Sequence, residues 1–174
     1  ALDPVVARGL FERLARIAEE RLGDAPRAID AYARALEQVG DDEDLLAALD
    51  RLYVKTENWS ALVEVLERRT NLADDPTERA AQRVRLGEIR ETHLGDLRGA
   101  FRAYQEVVER DPANDPALDG LQRLGQNPEL APEVVDTLEG AFRETGSLER
   151  IAGLYDIRIN LADTDGERVR MLQE

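Results

Sequence analysis

Residues 73–110 read ADDPTERAAQRVRLGEIRETHLGDLRGAFRAYQEVVER, and the same pattern occurs at the start of the chain. Residues 1–38, ALDPVVARGLFERLARIAEERLGDAPRAIDAYARALEQ, align with them without a gap at a shift of 72 residues. Both segments hold Asp-Pro, Leu-Gly-Asp and an alanine four places before a tyrosine at equivalent positions. A shift of 72 is twice about 36, and periods of about 20 to 50 residues are typical of stacked helical units. The sequence therefore predicts a repeat protein.

A second internal match locates an irregularity in the repeat. Residues 71–74, Asn-Leu-Ala-Asp, recur at 160–163 with a shift of 89 residues. The two shifts differ by 17 residues, which indicates an insertion of that length shortly after Leu124. Pro128 and Pro132 favour a local break around residues 125–132, because proline disfavours helix at the residue before it. Either the helix before the break lacks a full partner, or a turn at 128–131 stands in for one.

The apolar residues between turn signals recur at helical spacing, as Leu10, Leu14, Ile17 and Ala18 do. Asp-Pro pairs and Gly-Asp pairs separate these segments, and they suit the starts and ends of helices. No segment alternates strictly between apolar and polar residues, so no strand is expected. The pattern predicts helices over residues 4–22, 25–39, 43–56, 59–73, 76–93, 96–110, 115–125, 130–145 and 148–162, with another beginning near 166.

The details of the unit resemble the tetratricopeptide repeat, a pair of antiparallel helices with set large and small apolar positions. Leu86-Gly87, Ala100, Tyr104 and Asp111-Pro112 match that pattern, and Leu14-Ala15, Ala28 and Tyr32 match it in the first unit. The resemblance implies an all-α fold, an α-α superhelix or solenoid of antiparallel helix pairs, with the irregularity near 125–132.

We expect a single repeat array over residues 1–174. Its pairs are predicted at 4–39, 43–73, 76–110 and an irregular 115–162 that contains an extra helix, while 166–174 begins a further repeat. Because Ala1 lies at a repeat boundary and the last segment has no second helix, we expect the array to continue in a longer protein.

Two features depart from the family pattern. The units with Gly-Asp turns carry an extra residue before Gly23 and Gly95, which predicts a slightly longer first helix. Asp50 and Glu139 stand where a small residue is usual, and we expect both carboxylates to lean toward solvent.

The composition excludes several classes of function. The 174 residues include no cysteine and one histidine, and the formal net charge is -14. Such an acidic chain repels phosphates and anionic lipid, so we expect neither nucleic-acid binding nor membrane insertion. His93 is expected to cap a helix, and residues 163–167 match only part of a calcium loop. We therefore expect no catalytic residue, no cofactor and no metal, and hence no enzyme. The cytoplasm is slightly favoured as the location, and export stays open.

The remaining candidate for function is a protein-binding surface. In the family that this chain resembles, first helices line a concave groove that commonly holds an extended peptide or a partner helix. The outward positions predicted to bind a partner are Glu12, Arg16, Glu19, Arg51, Lys55, Glu88, Arg123, Asp136 and Arg143.

Arg16, Arg51 and Arg123 would form a row of guanidinium groups suited to carboxylates. The alternative is that they pair with neighbouring glutamates. We expect a non-catalytic protein-interaction scaffold. The alternative functions are a structural spacer, an array that self-associates through its open ends, and a regulatory arm of an enzyme whose catalytic domain lies elsewhere.

Overall fold

A computed structural model describes residues 3–161, with side chains from 3 to 154. Within these residues the chain forms nine α-helices, two short π-helical turns and no strand. The helices are α1 (Pro4–Arg16), α2 (Ala25–Val39), α3 (Glu43–Lys55), α4 (Trp59–Leu72), α5 (Pro76–Ile89), α6 (Leu97–Val108), α7 (Asp115–Leu124), α8 (Ala131–Glu144) and α9 (Leu148–Leu161). The predicted all-α fold is confirmed, and the helix expected near 166 lies outside the described residues.

Helix ends form where the sequence supplies capping groups. The carboxylates of Asp3, Asp24 and Asp96 accept backbone N–H groups at the starts of α1, α2 and α6. These bonds satisfy donors that a helix N-terminus otherwise leaves free. At α7 the expectation that Asp115 is the cap is wrong. Asn114 accepts the amide of Ala117, and Asp115 is the first helical residue.

The extra residue before each Gly-Asp turn widens the helix instead of simply lengthening it. Ile17–Arg21 and Arg90–Leu94 are π-helical and continue α1 and α5. A π turn accommodates one additional residue without breaking the helix. Gly95 follows with a φ of 65°, in the left-handed region where a side chain would be strained.

The chain divides into two compact units, Ala1–Gln82 and Arg83–Glu174. In the first unit, α1 packs on α2, α2 on α3 and α3 on α4, so neighbours in sequence are neighbours in space. Its core consists of small residues between helices, such as Ala15, Ala28 and Ala35, with leucines of α3.

One part of the predicted core is wrong. Leu10, Leu14 and Ile17 are exposed, and the alanine side of α1 packs on α2 in their place. Helices approach closely where side chains are small, so the alanine side is the one that α2 covers.

In the second unit, α6 packs on α7, α7 on α8 and α8 on α9. The region of the predicted break contains no helix from 125 to 130, but a series of hydrogen-bonded turns. The amide of Asn127 donates to Leu124, and those of Leu130 and Ala131 donate to Asn127. These turns connect α7 to α8, while α8 pairs with α9. The single array over 1–174 stays a prediction.

Asp50 and Glu139 do not lean toward solvent, and that expectation is wrong. Both side chains are buried. Asp50 forms an ion pair of 2.6 Å with Arg69 of α4, and Glu139 pairs with Arg143 one turn later on α8. Burying a carboxylate is tolerated only when a cation compensates for lost water. Each unit therefore replaces the usual small residue with a buried ion pair.

Every helix among residues 3–161 is too short or too polar to cross a lipid bilayer.

Candidate functional site

A glutamate, a tyrosine and an arginine from three consecutive elements form a hydrogen-bonded triad in the second unit. Glu91 lies in the π turn after α5, Tyr104 on α6 and Arg123 on α7. Arg123 donates from Nε to Oε1 of Glu91 and from Nη2 to Oε2, both at 3.0 Å. The Tyr104 hydroxyl donates to Glu91 Oε2 at 2.8 Å and accepts from Arg123 Nη2 at 3.3 Å. The triad thus joins three elements by charge-assisted bonds.

Two glycines let the tyrosine ring reach this position. A Cβ added at Gly87 would lie 2.6 Å from Cε1 of Tyr104, and one added at Gly120 would lie 2.6 Å from Cε2 and Cζ. The ring is held between α5 and α7 and is completely buried. The sequence pattern pointed to Gly87 as a small position but not to Gly120.

The first unit contains an equivalent triad at the 72-residue shift: Glu19, Tyr32 and Arg51. Arg51 donates to Glu19 from Nε at 3.2 Å and from Nη2 at 2.8 and 2.9 Å. Here the tyrosine hydroxyl forms no hydrogen bond of normal geometry to the pair. The glycines of the second unit are replaced by Ala15 and Ala48, whose methyl groups occupy the space that the deeper ring would need.

The triads change the acidity of their members. Burial raises the pKa of Tyr104, and the hydrogen bond to Glu91 raises it further. Burial alone would raise the pKa of Glu91, but the hydrogen bonds from Arg123 and Tyr104 bring it below its usual value. In the first unit the hydrogen bond to Glu19 raises the pKa of Arg51. Both arginines therefore stay charged and paired.

Each arginine pairs with its glutamate through one edge and leaves the other edge open. The glutamates are largely shielded, whereas about half or more of each arginine side chain is exposed. The remaining group, Nη1 of Arg51 and of Arg123, makes no hydrogen bond to any described residue. An exposed guanidinium held in one orientation by a buried carboxylate presents two oriented N–H donors to solvent.

The structure brings together some of the other predicted binding residues. Arg16 pairs with Glu12 at 3.0 Å on α1, and Arg143 pairs with Glu139 on α8. The row of unpaired guanidinium groups that Arg16, Arg51 and Arg123 would have formed is therefore not present, and the glutamate-paired alternative describes them.

Three further predicted residues lie apart from these pairs. Lys55 and Glu88 are exposed and contribute to neither triad. Asp136 lies in a shallow depression between α6 and α8, which Val108 and Thr137 also line.

The structure places His93 in the last turn of the π segment before Gly95, where a cation suits the helix end. Among the described residues, no group of three histidine or acidic side chains could hold a metal ion. The partial calcium-loop sequence at 163–167 lies outside the described residues.

Comparison with known proteins supports the fold. The family model for the tetratricopeptide repeat matches residues 45–80, which hold α3, α4 and the start of α5. No curated protein matches the sequence. Among solved structures, one titled "Crystal structure of MamA" aligns with 82% of this chain and 81% of its own, with 16% identity and a TM-score of 0.51. At that identity the likeness concerns the fold alone, and the predicted tetratricopeptide-like helical repeat is confirmed.

Proposed function

We propose that this protein is a non-catalytic interaction scaffold, which holds an extended segment of a partner protein against the faces that carry Arg51 and Arg123. Tetratricopeptide repeats generally mediate the binding of protein partners, and the repeat at residues 45–80 supports the same role here. The predicted binding residues Glu12, Arg16 and Glu19 lie on the same helix face as the first triad.

The single observation that carries this proposal is the repetition of an oriented arginine. Each triad spends a buried glutamate to fix a guanidinium whose Nη1 is open to solvent. Fold stability alone would be served by a fully buried pair or by apolar residues. An arginine that is fixed but exposed is suited to donate hydrogen bonds to an incoming ligand.

The pairing also narrows the chemistry of the partner. Because each guanidinium charge is already balanced by a glutamate, the triads supply oriented donors more than net positive charge. They therefore suit backbone carbonyl or carboxylate oxygens of an extended segment, one acceptor for each triad. A strongly acidic segment would be repelled by the chain, whose net charge is -14.

The experiment selects peptides from a random displayed library with the 174-residue chain and measures the affinity of a recovered peptide by isothermal titration calorimetry. Variants Arg51→Lys and Arg123→Lys retain the charge but lose the fork geometry, so affinity should fall about tenfold at each. The matched control is Arg34→Lys, which changes an exposed arginine of α2 that pairs with Asp30.

Unchanged affinity in both triad variants would refute the role of the triads while leaving open a partner surface elsewhere. Recovery of no peptide at all would count against a peptide-binding scaffold. Circular dichroism of each variant checks that the helices remain intact, so that a loss of binding is not a loss of fold.

A further inference from the structure

The first helix carries an apolar face that no described residue covers. Val6, Leu10, Leu14 and Ile17 follow one another at spacings of three and four residues, so they lie on one side of α1. All four are at least half exposed. The opposite side of α1, with Ala15 and Ala18, packs in the core of the first unit.

The 72-residue shift shows that this face belongs to a class of position that is normally buried. Leu14 corresponds to Leu86 and Ile17 to Ile89. Leu14 is 54% exposed, whereas Leu86 is 0% and Ile89 is 7% exposed. The face on α1 thus has the character of a packing surface between helix pairs.

Two substitutions within the repeat make the exposed copy more apolar than the buried one. Val6 corresponds to Glu78, and Leu10 corresponds to Gln82. A terminal repeat that stays in water is expected to carry a polar outer face. A more apolar face at an exposed position indicates that something packs on it.

The chain carries a matching surface on α9. The shift of 89 residues aligns α9 with α4, so that Leu148 corresponds to Trp59 and Ala152 to Val63. On α4, Arg69 reaches Asp50 of α3, which identifies the side that faces α3.

The row of Trp59, Val63, Leu66 and Thr70 lies on another side of α4, at i, i+4, i+7 and i+11, and Leu66 and Thr70 are buried. On α9 the first two residues of that row, Leu148 and Ala152, are exposed, and Leu148 is 75% exposed.

The charges favour α1 as the site of contact in an acidic molecule. Residues 4–21 contain four arginines and three glutamates, a net charge of +1, while the whole chain carries -14. Arg13 and Arg21 flank the apolar row and form no ion pair with a described residue. Two copies therefore repel least, and attract most, where α1 is one of the partners.

We propose that the protein associates with itself head to tail, the apolar face of α1 in one copy packing on the Leu148 side of α9 in a second copy. The contact joins two different surfaces, so it is heterologous and continues from copy to copy. Adding salt should not weaken it, because salt screens the repulsion between two copies of charge -14.

The test is sedimentation equilibrium of the 174-residue chain over a range of concentrations, with two variants that each block one surface. Leu14→Glu places a charge on the α1 face, and Leu148→Glu places one at the first turn of α9, where a glutamate suits the helix start. Each variant alone should self-associate about tenfold or more weakly than the wild type. The matched control is Val54→Glu, which changes an exposed apolar residue of α3 and should associate like the wild type.

Mixing the two variants separates the possible occupants. The intact α9 surface of the Leu14→Glu variant can still bind the intact α1 surface of the Leu148→Glu variant. The mixture should therefore form dimers and nothing larger.

If the Leu148→Glu variant alone still dimerises, α1 packs against α1 of a second copy and the proposal is wrong. If the wild type stays monomeric at all concentrations, or weakens as salt is added, the proposal is also wrong. Circular dichroism of each variant distinguishes a lost contact from a lost fold.

Discussion

Replacing Gly120 with alanine should destabilise the second unit, although alanine is the better helix former. The new Cβ would lie 2.6 Å from two carbons of the Tyr104 ring, where carbon atoms prefer about 3.5 to 4.0 Å. The ring would have to move by about 1 Å, and Gly87 on its other face leaves a gap of the same small size. The ring therefore cannot simply slide away from α7 without meeting α5.

The magnitude follows from three contributions. Overpacking of a tight core costs about 1–3 kcal/mol, and losing a hydrogen bond to a charged group costs about 1.5–3 kcal/mol. The higher helix propensity of alanine returns about 1 kcal/mol. We expect the Gly120→Ala variant to lose roughly 2–4 kcal/mol of unfolding free energy.

Urea denaturation followed by far-ultraviolet circular dichroism measures this loss. The matched control is Gly140→Ala in α8, because a Cβ there meets no atom within 4 Å. That variant should gain up to about 1 kcal/mol from helix propensity alone. If Gly120→Ala is as stable as the wild type or more stable, the ring is not confined as described and the account of the triad is wrong.

Three further changes test the ion pairs and the triad. Tyr104→Phe removes the hydroxyl whose raised pKa makes stability fall as the pH rises above its ordinary value of about 10, so the variant should lose less stability than the wild type in urea denaturation between neutral and strongly alkaline pH. Glu91→Gln removes a carboxylate whose lowered pKa adds stability above about pH 4.5, so the drop in melting temperature on acidification below that pH should become shallower. Asp50→Asn leaves the largely buried Arg69 with Glu43 as its remaining ion-pair partner, and thermal denaturation should show a loss of about 1–3 kcal/mol, while Glu43→Gln at the exposed end should cost less.

The helices and their caps could be predicted from the sequence because both depend on neighbouring residues. An Asp-Pro or Gly-Asp pair acts within one turn, and helical spacing of apolar residues is visible over a single segment. The repeat strengthened each prediction, since the same signals occur twice at a shift of 72 residues. The π turns could not be read in this way, because an extra residue can lengthen a helix, widen it or loop out.

The exposed face of α1 could not be predicted because this helix has two apolar sides. The leucine row and the alanine row both follow the helical period, and the period alone does not tell which side meets α2. The structure buries Ala15 and exposes Leu14, since small residues allow the closer approach of two helices. The choice depends on the neighbouring helix, which is information outside the segment.

The ion pairs involve residues that are distant in sequence, and local spacing did not reveal them. Arg51 and Glu19 are 32 positions apart, as are Arg123 and Glu91. A signal was present in the repeat, because a glutamate, a tyrosine and an arginine all recur together at the same shift. Side chains that recur as a set are candidates for mutual contact, whereas an arginine that recurs alone would be a candidate for a ligand.

The difference between the two triads suggests a division of roles between them. Arg123 is held by Glu91 and also by the hydroxyl of a tyrosine that two glycines admit, so reorienting it would break a network of three groups. Arg51 is held by Glu19 alone, because alanines keep the equivalent tyrosine further away. A partner that competes for the guanidinium meets less resistance at Arg51, where fewer bonds must be exchanged. The first triad is therefore the better suited to take part in binding, and the second the better suited to lock α5, α6 and α7 together.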